Sequence, residues 1–136
     1  MDLSIQTVQT IQLDDKPWID SVKGTPTIRT ITVLPSLGFV AGTHIVDGFL
    51  LSGCPIGRVT SGGNAGVWGL YDDTATDGRQ TCRGFLFGRE KVSAGGATVK
   101  IGAAWMWEGV VRLSRLPVTL DAAGQADLEA KFLLVP

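Results

Sequence analysis

From residue 27 onward, apolar side chains recur in short bursts of β-branched and aromatic residues, each closed by Gly, Asn, Asp or Pro. That pattern predicts strands joined by tight turns, because Thr and Val suit a pleated surface while Gly supplies positive φ. A β-branched run predicts a strand over 27–34, and Pro35 ends its ladder for want of an N–H. Further strands are predicted over 39–41, 49–51, 56–60, 67–71, 81–87, 99–107 and 110–113. The turn signals among them are Asp47-Gly48, Ser61-Gly62-Gly63-Asn64, Asp77-Gly78 and Ala94-Gly95-Gly96.

The two ends of the chain read differently. Residues 3–13 set apolar side chains among uncharged Gln, Ser and Thr, and only Ile11 and Leu13 keep a period of two around Gln12. Such a segment is extended and β-prone, suited to pairing with a sheet edge. Residues 14–26 hold Asp14, Asp15, Pro17, Gly24 and Pro26, which stop regular structure, with Trp18 and Ile19 as an apolar pair in the middle; the stretch reads as a connection and Trp18 as its anchor. Residues 121–131, rich in Ala, Gln, Leu, Glu and Lys, predict one short helix despite Gly124, which costs about 1 kcal/mol relative to Ala. Residues 132–135 return to strand character. The expected fold is mainly β: a small β-clip or β-barrel domain with one short C-terminal helix and an extended N-terminal arm. Residues 1–37 form the arm and a connecting strand, and 38–136 the β-rich domain.

Composition narrows the functional classes. With 136 residues, the chain is long enough to bury a core without metal or disulfide staples. A net charge of −1 with 18% charged residues lacks the basic footprint of a nucleic-acid binder, so no nucleic-acid partner is expected. No run reaches the roughly 18 to 20 apolar residues that span a bilayer, and Met1, Asp2, Leu3 and Ser4 lack the basic flank of a signal peptide. The expectation is a protein without membrane contact that stays where it is made. Cys54 and Cys82 are too few for a disulfide framework or a zinc site and read as reduced core thiols, although a bridge between them stays open.

Candidate chemistry is sparse. Asp72, Asp73 and Asp77 are the one carboxylate cluster, but their spacing matches no calcium loop, and Asp favours turns because its side chain bonds nearby backbone N–H groups. His44, the single histidine, follows Gly42-Thr43 in a loop-like stretch. Neither cysteine sits in a nucleophile motif, and no phosphate loop, nucleophile elbow or zinc-protease motif occurs, so no enzyme, cofactor or metal is expected. Trp105, Met106 and Trp107 are the densest group of large side chains, and a period of two puts both tryptophans on one face and Met106 on the other. Such a strand is either central to the core or turns Trp105 and Trp107 toward a neighbouring subunit. Together with Trp68 they could also form a sugar platform, and residues 62–66 an outward loop.

One wording along the chain carries a resemblance. Ser52-Gly53-Cys54-Pro55-Ile56-Gly57 ends a strand; after a hairpin comes Tyr71-Asp72 with Ala75 and Asp77-Gly78-Arg79, then the strand Gly84-Phe85-Leu86. Downstream follow Leu116-Pro117, the Ala-rich helix and the final apolar strand. This order resembles the lambda-type head decoration proteins of tailed bacteriophages, especially those infecting actinobacteria. The chain departs from that pattern in Cys54, where Thr is common, and in the Trp-rich 99–107 strand.

The resemblance implies a β-clip homotrimer, made in the host bacterial cytoplasm, that decorates the outer capsid surface of the virion. Such a cement protein binds the expanded head at three-fold and quasi-three-fold positions and stabilises it against internal genome pressure. Its partners are the major capsid protein and itself. The arm then pairs with capsid-protein elements, with Ile5, Val8, Ile11, Leu13 and Trp18 as apolar anchors. The competing expectations are another phage structural module, such as a head spike or tail-associated β-domain, and a carbohydrate-binding β-domain.

Overall fold

Strands β1 (Ile28–Val33) and β8 (Ile101–Met106) pair antiparallel along their whole length, from Ile28 opposite Met106 to Val33 opposite Ile101. A computed structural model describes residues 16–19 and 28–136 of the protein. In chain order the other elements are β2 (Ile45–Val46), β3 (Phe49–Leu50), β4 (Pro55–Arg58), β5 (Trp68–Leu70), β6 (Gly84–Leu86), β7 (Glu90–Lys91), β9 (Gly109–Arg112), a 3-10 turn (Leu113–Arg115), helix α1 (Ala122–Leu128) and β10 (Phe132–Val135). Strands β1, β5, β4, β6 and β8 close into a barrel in that order, while β2, β3 and β7 form a small sheet and β9 pairs in parallel with β10. The protein is thus mainly β, a small barrel with one short C-terminal helix.

Two cores follow from the alternation of side chains along the barrel strands. Val33, Trp68, Ile56, Leu86 and Ala103 are each buried in one cluster and come one from each barrel strand, which marks that cluster as the barrel interior. Phe85 and Met106, each one residue out of step with Leu86 and Trp105, point to the other side of the wall. There they meet Trp18, Val111 of β9, Leu128 of α1 and Phe132 of β10. Strand β8 therefore separates two apolar layers, the physical reason why Trp105 and Met106 can stand side by side in sequence.

The helix starts where a cap is available. The Asp121 side chain accepts from the Gly124 N–H at 2.8 Å, satisfying one of the free donors of the first turn, and it also accepts from the Tyr71 hydroxyl at 2.8 Å. Gly124 is buried against Leu120 and Tyr71, so its lack of a Cβ serves packing rather than turn geometry. Asp47 and Gly48, with φ of 53° and 80°, make the two-residue turn between β2 and β3 that their sequence announced.

Three expectations needed correction. Residues 39–41 form no strand: Gly38 has φ of 89°, the Val40 carbonyl accepts from the N–H groups of Thr43, His44 and Ile45, and Ala41 makes only an isolated bridge to Ile45. Strands β2 and β7, two residues each, were not foreseen, because two residues carry no periodicity. The strand assigned to the connection is a wall of the barrel, since β1 pairs with β8 throughout and with β5 at Val33 opposite Trp68.

Candidate interaction surface

Of the five arm residues singled out for contact with a shell, Ile5, Val8, Ile11 and Leu13 lie outside the described residues. Trp18 is described, and its place corrects the expectation that it faces a partner. It is 1% exposed, its Nε1 donates to Ser52 Oγ at 2.8 Å, and its ring lies 5.4 Å from that of Phe85. Ser52 Oγ in turn donates to the Phe87 carbonyl at 3.2 Å, and the Trp18 carbonyl accepts from Arg112 N at 2.7 Å. A large apolar ring with one donor gains most by burial beside an acceptor, and here the domain itself supplies both. Trp18 anchors its segment to this domain.

Trp105 and Trp107 remain partly exposed at one end of β8, while Met106 is fully buried in the outer core. The Trp105 ring leans on Trp68 with centroids 4.5 Å apart, and its Nε1 donates to the Arg83 carbonyl at 3.0 Å. Trp107 lies between two cations, Arg29 at 5.6 Å and Lys131 at 5.4 Å from its ring centre. Such contacts hold the ring in place at a half-wet site. With Thr81, Arg83, Asp127 and Lys131 the two tryptophans line a cleft of about 230 Å³. The polar members of that cleft escaped sequence reasoning because each stands twenty or more residues from the tryptophans, with nothing local to announce the meeting. Trp68, at 6% exposure, faces the barrel interior and offers no open ring for a sugar platform.

The aspartate cluster resolves into turns. Asp72 Oδ1 accepts from the N–H and the hydroxyl of Thr74, at 2.9 and 2.7 Å, and those bonds hold its carboxyl below the usual range. Asp77 accepts from Arg79 N at 3.1 Å and pairs with Arg79 Nε at 3.0 Å. Partial burial pushes the Asp77 carboxyl up, but the bonds from Arg79 and its charge outweigh that and leave it lowered. His44 Nδ1 accepts from Val40 N at 3.0 Å, a satisfied histidine whose pKa burial lowers. Among the described residues no three His, Cys, Asp or Glu side chains gather into a metal-holding group, and no helix is long and apolar enough to cross a membrane.

Cys54 and Cys82 are both buried and free, Cys54 in the barrel interior and Cys82 in the outer core. Burial pushes each thiol up to about 12, far from a reactive thiolate. Comparison with protein-family models, with curated proteins and with solved structures yields no match.

Proposed function

We propose that this protein is a phage capsid decoration protein, a cement that binds the outer surface of the expanded head at three-fold and quasi-three-fold positions as a homotrimer. The observation that carries this reading is how the two halves of the decoration-like wording fit together. Residues 52–57 supply Ser52 and Gly53 to Trp18 and then enter β4; residues 71–79 return across them, with Tyr71 N donating to the Pro55 carbonyl at 3.0 Å. Arg79 lies over Gly57 and Gly69, where an added Cβ would come within 2.8 and 2.9 Å of it. The motif thus belongs to one packed unit, which supports reading its sequence resemblance as more than a chance run of turn residues. The chain then runs through Leu116-Pro117 to the helix and the last strand, in the order of the decoration family.

The mechanism of such a protein is thermodynamic. A ligand that binds the expanded shell and not its disrupted form stabilises the shell by mass action. Three arms on one trimer make the second and third contacts intramolecular, which turns a weak arm contact into a durable one. In this reading residues 3–13 pair with the major capsid protein, and Trp105 and Trp107 face a neighbouring subunit. The test is co-sedimentation with expanded, undecorated heads of the phage that encodes the chain, with unexpanded procapsids as control. Saturable binding to expanded heads alone is expected; binding to neither shell overturns the reading.

A further inference from the structure

The barrel closes between β1 and β5 through one short contact, which leaves a seam. Strand β5 meets β1 at one register position, Val33 opposite Trp68, so most of β1 has no described strand on that side. The direction of its free groups follows from the ladder on the other side. Phe87 N donates to the Ala104 carbonyl at 2.8 Å, which turns the backbone of Ala104 toward β6. Thr30, opposite Ala104, therefore sits at a non-hydrogen-bonded position of the β1–β8 ladder, and its N–H and C=O point into the seam. Thr30 is exposed, and an unpaired strand edge is a template for another extended backbone.

Around that edge lies a groove of about 490 Å³, lined by Trp105 and the edge of the buried Trp68 and bordered by Arg29, Arg58 and Arg83. All three arginines are exposed, and no carboxylate is in the lining. Among the described residues none of the three is ion-paired, Arg29 being engaged by the ring of Trp107. A chain of net charge −1 therefore carries, at one sheet edge, a local surplus of guanidinium groups, whose planar forks suit carboxylates.

We propose that this seam is a docking groove for an extended acidic polypeptide segment, which adds as a strand to β1 at Thr30 and places its carboxylates on Arg58 and Arg83. Main-chain bonds to a sheet edge supply affinity in such complexes and the flanking side chains supply selectivity. A nucleic acid fits less well: it draws affinity from many phosphate contacts, whereas three cations on an otherwise acidic chain supply few, and a strand edge matches the repeat of a peptide backbone. The proposal does not depend on capsid binding.

The test uses the full chain and three probes: a short peptide alternating Glu and Val, the same peptide with Gln for Glu, and oligo-dT. Binding is read by tryptophan fluorescence, since the partly exposed Trp105 lines the groove, and by calorimetry. The Glu peptide binds, and the Gln peptide binds at least about tenfold more weakly, as expected when charge-assisted bonds are replaced by neutral ones. The double variant R58Q/R83Q, altered only at exposed side chains, loses the preference for Glu over Gln. Thr30→Pro, which removes the edge donor, weakens both peptides while the double variant still binds the Gln peptide. Failure of both peptides to bind overturns the proposal, as does an affinity for oligo-dT that exceeds that for the Glu peptide and falls with R58Q/R83Q.

Discussion

Trp18 and Ser52, thirty-four positions apart, are joined by a buried 2.8 Å hydrogen bond that closes the N-terminal approach onto the barrel. The bond explains why Trp18 acts within the domain although it lies before the first strand. Trp18→Ala is expected to cost about 3–5 kcal/mol, the range for removing a buried aromatic side chain. Ser52→Ala removes the acceptor and leaves Nε1 buried without a partner, at a cost of about 1–3 kcal/mol. Urea unfolding measures both; a Trp18→Ala protein as stable as the parent would show that the segment is not part of the folded unit.

Two glycines with the same backbone sign should respond unequally to a methyl group. Gly53 has φ of 88° and an added Cβ would lie 2.8 Å from the Trp18 ring, whereas Gly62 has φ of 82° and nothing within 4 Å. Gly62→Ala meets only the backbone penalty, about 1–2 kcal/mol. Gly53→Ala adds the displacement of a fully buried ring, so its midpoint in urea should fall well below that of Gly62→Ala. Equal midpoints would mean that Trp18 moves aside freely.

The thiols set a dependence on alkaline pH. Both are neutral in the native state up to about 12, against 9.0 for the unperturbed group, because burial disfavours the thiolate. Between those values the unfolded chain has lost protons that the native chain retains, so stability falls as pH rises, by about 1.4 kcal/mol per pH unit for each thiol. The stabilisation is complete below the unfolded value and is lost toward the native one. Tyr71, held up by burial and by Asp121, acts in the same direction. Comparing urea midpoints at about pH 8 and about pH 10.5, the parent should lose more stability than Cys54→Ala/Cys82→Ala; identical losses would place the effect elsewhere.

The sequence made visible what local chemistry controls. Asp47-Gly48 specified its hairpin, the run at 132–135 became β10 without a change of boundary, and Asp121 capped the helix expected there. The turn explanation of Asp72 and Asp77 also rested on short-range bonds, to Thr74 and Arg79. What stayed hidden depends on residues brought together from afar. Nothing local separates a Trp that binds a partner from one that binds its own barrel; the difference lies in Ser52, Gly53 and Phe85. The cleft beside Trp105 and the seam beside β1 are likewise products of closure: Arg58 and Arg83 come to one groove because β4 and the approach to β6 fold around the same rings.

The position of Trp18 also fixes where the arm can be cut. Lys16 lies over the Phe87 ring at 4.8 Å, a half-buried contact worth about 0.5–2 kcal/mol, whereas Trp18 belongs to the core. Deleting residues 1–16 should therefore leave a cooperatively unfolding domain with a urea midpoint close to the parent's. Under the proposed function the same deletion removes the segment that pairs with the capsid protein, so occupancy of expanded heads should drop to background. A domain that unfolds on truncation would show that the missing segment is structural, and its loss of capsid binding would then say nothing about the arm. A domain that stays folded and still saturates expanded heads would refute the arm mechanism while leaving decoration intact. Trp18→Ala separates the two cases from the other side, since it weakens the fold while leaving residues 1–16 in place; at a temperature where that variant is still folded, it should bind heads like the parent.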